Sequence, residues 1–211
     1  VNLSEKPRAF EEALSPILDH LRPYQGEKFI RVLNLTAEVD CNWKVIHDNF
    51  NESYHLPTLH PELEVHIENS YKYSQFDMYE NGHNRMLMPG HLPAKESKNP
   101  DLVDFPLDEA LKAWDLDPDD FEGKAQNTRE AIQKQKKKLA KDRGFWHYEH
   151  LTDEQLTDYY HYTCFPNFSL TMTPDGFQLL RPQPHPTDPE KCHFEHWFMV
   201  PKMDRLSASS T

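Results

Sequence analysis

With 211 residues, 37% of them apolar and only 6 glycines, the chain has the material for one domain's core and none for a glycine-rich phosphate cradle. Its 35 acidic against 23 basic side chains give a formal net charge of -12, a surface that repels nucleic-acid phosphates and anionic membranes. No apolar run of roughly 18 residues and no basic-then-apolar leader occurs, so a cytoplasmic protein is expected, with neither nucleic acid nor membrane as partner.

Cys41, Cys164 and Cys192 are odd in number and form no CxxC pair, which fits small buried fillers in a reducing compartment. From Ser4 to Leu21, apolar residues at three- and four-residue steps (Phe10, Leu14, Ile17, Leu18, Leu21) predict one or two short amphipathic helices, stopped before Pro23. A β-run over Phe29 to Val39 leads to Asp40 or Asn42 as the N-cap of a helix whose apolar face is Trp43, Ile46, Phe50 and Tyr54. Alternation then predicts strands at Glu64 to Glu68, Tyr71 to Tyr79 and Arg85 to Met88, the last two joined by an Asn81-Gly82 hairpin turn.

Pro89 to Pro106 reads as a surface loop, and Leu107 to Leu156 as a helical insertion whose Gln133 to Arg143 lysines form a solvated face. Strands return at Tyr162 to Thr173, at Phe177 to Arg181 after a Pro174-Asp175-Gly176 turn, and at Cys192 to Val200. Strands, helices and strands in that segregated order predict an α+β fold on an antiparallel sheet.

The chemistry concentrates in Asn49 to His60. Residues five apart on an ideal helix point roughly 140° away from each other, so His55 and His60 can share a metal only if the helix breaks between them; Pro57 is the expected break. Glu52, three residues before His55, lies on the same face, where its carboxylate can take the proton of the ring nitrogen turned away from the metal. A polar helix end is the other reading, since 13 histidines make such a spacing common.

The longer string favours the metal reading. Asn42-Trp43, Asn49-Phe50, Glu52, Tyr54-His55 and His60 together closely resemble the iron-binding signature of the Rieske non-haem iron oxygenases, the ring-hydroxylating oxygenase α subunits. Val1-Asn2-Leu3 is similar to the segment opening that family's catalytic domain, and Phe165-Pro166-Asn167 to one of its strands. The resemblance implies a helix-grip (START-like) domain over residues 1–211, with 107–156 inserted, lacking the upstream Rieske domain and the C-terminal end. It makes His55 and His60 ligands of a mononuclear Fe(II) in a 2-His-1-carboxylate site. Glu52 becomes the acid linking that iron to the cluster of a neighbouring subunit, and Asn49 a residue near the iron.

Three departures from the family pattern follow. The linking acid is more often Asp there. The CxH and CxxH halves of a [2Fe-2S] Rieske centre are absent, Cys192-His193 supplying neither. The family's carboxylate ligand comes from a later helix; Asp204 lies in a turn and receives no metal role, so the third ligand is expected beyond residue 211.

The implied activity is hydroxylation of an organic, typically aromatic, substrate with O2, as a monooxygenase or dioxygenase. Electrons would come from NAD(P)H through a reductase or ferredoxin, in a homotrimer or an α/β hetero-oligomer. Tyr54, Phe165 and Asn167 are candidate pocket residues, Tyr54 being also readable as core and the strand Phe165 to Leu170 as plain sheet. His66, His193 and His196 read as hydrogen-bonded sheet histidines, and His147, His150 and His161 as core or interface beside Trp146, Tyr148, Tyr159 and Tyr160. The rival functions are a ligand-binding helix-grip domain without redox chemistry and a zinc hydrolase.

Overall fold

The computed structural model describes residues 4–202; Val1, Asn2, Leu3 and Asp204 lie outside them. Two short helices, α1 (Phe10–Leu14) and α2 (Ile17–Leu21), separate at Pro16, which precedes the first residue of α2. Strand β1 (Phe29–Val39) follows and gives way to α3 (Trp43–Phe50) and the single turn α4 (Leu56–Leu59). A hairpin, β2 (Gln75–Met78) and β3 (Asn84–Met88), precedes α5 (Leu107–Ala113) and α6 (Thr128–Leu139). The chain closes with β4 (Tyr159–Cys164), β5 (Phe168–Thr173), β6 (Gly176–Pro184) and β7 (Cys192–Pro201).

The strands form one open antiparallel sheet of seven in the order β1-β7-β6-β5-β4-β3-β2. Paired residues point the same way and successive ones opposite ways, so the register sorts side chains onto two faces. One face carries Tyr160, Tyr162, Leu170, Met172 and Phe177, which enter the main core with Tyr24, Leu111, Ile132, Tyr148 and Leu156. Residues 107–156 therefore cover this face.

A lysine ties the cover down. Lys136 is fully buried, donating to the Leu156 carbonyl and, at 2.7 Å, to Asp175 in the β5–β6 turn, with Tyr148 also bonded to Asp175. The other face carries Met86, His161, Thr163, Thr171 and His196. Here α3 packs on β6 and β7, Phe50 stacks on His161 with ring centroids 5.6 Å apart, and Leu56 clusters with Met86 and Met88.

Several expectations need correcting. Glu64 to Glu68 is a 3-10 turn (Pro61–Val65) followed by one bridge between Ile67 and Gly90, because the residues pack sideways against β3 rather than extending the sheet. Of Tyr71 to Tyr79 only Gln75–Met78 pairs; Tyr71 and Tyr73 sit in a turn. Tyr162 to Thr173 is two strands, since Phe165, Pro166 and Asn167 form the turn between β4 and β5.

The predicted loop Pro89 to Pro106 begins buried, at Gly90 through Ala94, held beside the end of β4 by Gly90, whose added Cβ would lie 2.3 Å from the Thr157 carbonyl. Gln133 and Lys136 are buried where a solvated lysine face was expected. Alternation puts His161 on the α3 face, opposite Tyr160 and Tyr162, while His147 is buried with Phe29 and Trp146 and His150 is exposed.

Candidate metal centre

The motif is positioned by its ends. Asn42 caps α3, its side-chain oxygen accepting the Lys44 N–H at 3.1 Å while its amide donates to the Pro189 carbonyl at 2.7 Å. The helix stops at Phe50 because the next side chains bond elsewhere: Asn51 accepts the Thr163 hydroxyl, and the Ser53 hydroxyl donates to the Asn69 carbonyl at 2.8 Å. The break thus falls at residues 51–55, ahead of Pro57, which sits in the first turn of α4 where a missing N–H costs nothing.

His55 and His60 bracket α4 as its N-cap and C-cap. His55 keeps helical backbone, whereas His60 leaves it (φ -134°, ψ 53°), and that change swings the two imidazoles to one side. Their ring centroids are 5.6 Å apart and the planes cross at 74°.

Glu52 Oε1 lies 2.5 Å from His55 Nδ1, and Oε2 accepts the His55 backbone N–H at 3.3 Å. A carboxylate cannot donate when ionised, so Nδ1 carries a proton, and in the neutral ring Nε2 is then the nitrogen with a lone pair for a cation. Glu62 Oε1 stands 3.7 Å from His60 Nδ1, an ion-pair distance on the corresponding side of the second ring. Side-chain exposure falls from 48% at His60 to 15% at His55, so the pair opens outward along His60.

The donor set fits half of a divalent iron site: two imidazoles, one of them oriented by an acid. Among the described residues no third histidine, cysteine or carboxylate closes around the pair.

The other predicted residues scatter. Asn49 is exposed in the last turn of α3. Tyr54, expected on the apolar face, lies past the helix end and is 81% exposed, lining a groove of about 380 Å³ with Glu52, Tyr71, Phe76 and Glu96. Phe165 is 68% exposed, its N–H donating to His83 Nδ1, and Asn167 donates to the Pro182 carbonyl at 3.1 Å; neither joins Tyr54 in that groove.

Two histidines that sequence reasoning placed elsewhere or passed over do face α3 and the sheet. His161 Nδ1 is 2.8 Å from the Thr171 hydroxyl, and its Nε2, like that of His47, is buried without a partner among the described residues. Burial pushes His161 down to about 3 and lowers His47 as well, so both are neutral donors or acceptors at pH 7. The alternation of Tyr160, His161 and Tyr162 was the signal that could have separated His161 from its aromatic neighbours.

The chain was compared with known proteins. The family model for the ring hydroxylating alpha subunit, catalytic domain, matches residues 27–210. The glycine betaine monooxygenase oxygenase subunit of Pseudomonas aeruginosa strain UCBPP-PA14 is 32% identical over 63 residues, a match spanning 30% of this chain and 15% of that protein. Its counterpart in Chromohalobacter salexigens is 32% identical over 63 residues, 30% of this chain and 14% of that protein.

Among solved structures, a quaternary ammonium Rieske monooxygenase studied for carnitine oxidation superposes with a TM-score of 0.56 at 13% identity, over 96% of this chain and 40% of that one. The naphthalene 1,2-dioxygenase of Rhodococcus sp., bound to indole, gives a TM-score of 0.52 at 17% identity, over 95% and 42%. At those identities the structures show a shared fold, the mixed helix and open antiparallel sheet of Rieske oxygenase catalytic domains.

Proposed function

This chain belongs to the ring-hydroxylating alpha-subunit family as its catalytic domain, and on that premise we propose that it is the oxygen-activating part of a Rieske-type oxygenase. His55 and His60 would hold a mononuclear Fe(II). The observation that carries this is the Glu52 carboxylate 2.5 Å from His55 Nδ1 with the second imidazole 5.6 Å away. Bound Fe(II) supplies open positions where O2 is reduced beside an organic substrate, which is hydroxylated as a monooxygenation or a dioxygenation.

The chain's own residues do the rest. Glu52 fixes the His55 proton and ring plane, so the ligand needs no reorganisation when metal arrives. Between α3 and the sheet, His47 and His161 hold buried, unpartnered Nε2 atoms beside the Phe50 ring, polar groups within the layer that the motif helix covers. Glu52 also lines the outer groove with exposed Tyr54 and Tyr71, a surface suited to a neighbouring subunit's cluster-bearing domain.

Such a [2Fe-2S] cluster would supply electrons from NAD(P)H, by way of a reductase or ferredoxin, in a homotrimer or an α/β hetero-oligomer. The substrate is a small organic molecule, aromatic or quaternary ammonium in kind.

The test is anaerobic Fe(II) binding by the full natural chain, wild type against His55→Ala and His60→Ala. Stoichiometric iron that is lost in both variants supports the reading. Wild-type protein that holds its cluster but no mononuclear iron would leave a helix-grip ligand-binding domain instead.

A further inference from the structure

We propose a second metal site on the sheet face opposite α3, formed by Glu38, His185 and His193, that takes a zinc-like divalent ion. The register builds it. Glu38 at the end of β1 pairs with His193 at the start of β7, which pairs in turn with Gln183 of β6; His185 is two residues beyond Gln183 and so returns to the same face. One donor atom from each of the three lies within 4.8 Å of the others, and the two imidazoles are 5.4 Å apart. Two imidazole nitrogens and a carboxylate oxygen are the donors of borderline ions such as Zn²⁺, with a water as the fourth ligand, rather than of Ca²⁺ or Mg²⁺.

The site is open and its loading has definite costs. A tetrahedral ion at ordinary bond lengths sets its donors about 3.4 Å apart, so the side chains must close by roughly 1 Å. Glu38 is exposed and free to move, but Lys191 now stands 3.3 Å from its carboxylate and 3.6 Å from Asp40. The ion must displace that ammonium.

His185 Nδ1 accepts the Thr187 and Asp188 N–H groups at 3.3 and 3.0 Å, which leaves Nε2 as the nitrogen for the ion. Coordination there moves the ring proton to Nδ1 or releases it, and the two loop N–H groups turn to water. Binding is accordingly of modest strength.

Occupancy would fasten the 185–191 loop to β1 and β7. Through the bond from Asn42 to the Pro189 carbonyl, it would also stiffen the start of α3, the helix leading to His55. The role is structural, and it does not depend on iron at His55 and His60.

The experiment is zinc binding by calorimetry and metal analysis on the full natural chain carrying His55→Ala and His60→Ala, which removes the other pair. One zinc beyond the cluster metals is expected, weakened on the order of 10–100-fold or more by His193→Ala and by His185→Ala. Lys191→Met, which removes the competing charge, should tighten it. Cobalt substitution gives a second readout, a tetrahedral visible band lost with His193→Ala while the circular dichroism melt is unchanged. No zinc in the double variant, or affinity indifferent to His193→Ala and Lys191→Met, overturns the proposal.

Discussion

Glu52 makes two contacts with one residue, Oε1 with the ring and Oε2 with the backbone N–H of His55, so its position is set by geometry and not by charge alone. Glu52→Gln separates the two. The amide oxygen can still accept one hydrogen bond, but the negative charge that favours Nδ1–H and raises ligand basicity is gone. Iron affinity should fall on the order of 10–100-fold with the fold intact, read as iron retained under a competing chelator. Unchanged retention would mean that Glu52 only shapes the turn. The acid and both histidines were singled out by the resemblance of the whole Asn42 to His60 string, while the contact of Glu52 with His55 spans only three residues, where local chain geometry decides what meets.

Among the elements, α3 has one end set by local sequence and the other by the folded sheet. Its start was legible, since Asn42 is followed directly by the amphipathic run; its end was not. Phe50 and Tyr54 are spaced as helix neighbours, but Asn51 and Ser53 find partners on Thr163 and Asn69, residues that only the folded sheet brings near, and Tyr54 is left outside.

Asn42→Ala removes both the cap and the bond to the Pro189 carbonyl. A cap is worth about 1 kcal/mol, and a half-exposed hydrogen bond adds about 0.5–1 kcal/mol. Urea unfolding should therefore show a loss of about 1–2 kcal/mol; Asn42→Asp, which keeps the acceptor but loses the amide donor, should lose about half of it.

Across the whole molecule, buried neutral histidines make the fold acid-sensitive. Burial lowers His66 to about 4 and His161 to about 3, below the ordinary 6.5. Between those values the unfolded chain binds protons that the folded chain refuses, so the stability is fully present above pH 6.5 and drains away as pH falls toward 4. At pH 5 each group costs about 2 kcal/mol relative to neutral pH. His161→Gln should lower stability at pH 7 by its lost packing and yet show a smaller further loss on going to pH 5 than the wild type. The difference between the two proteins cancels the carboxylates that titrate in the same window. A variant that loses as much on acidification as the wild type would show that His161 does not titrate with unfolding.

The amino-acid order by itself determined the α+β class, β1, an N-cap at Asp40 or Asn42 and the Asn81-Gly82 hairpin, because each depends on residues close in the chain. Tertiary structure decided the rest. It made a 3-10 turn of Glu64 to Glu68, buried Lys136 beside Asp175, and turned His161 from the aromatic core to the α3 face. It also gathered Glu38, His185 and His193, whose positions span most of the chain. Such contacts follow from strand register and from which face each helix covers, and neither is written in any local window: a strand's alternation tells which side chains share a face, while only the packed sheet tells what that face meets.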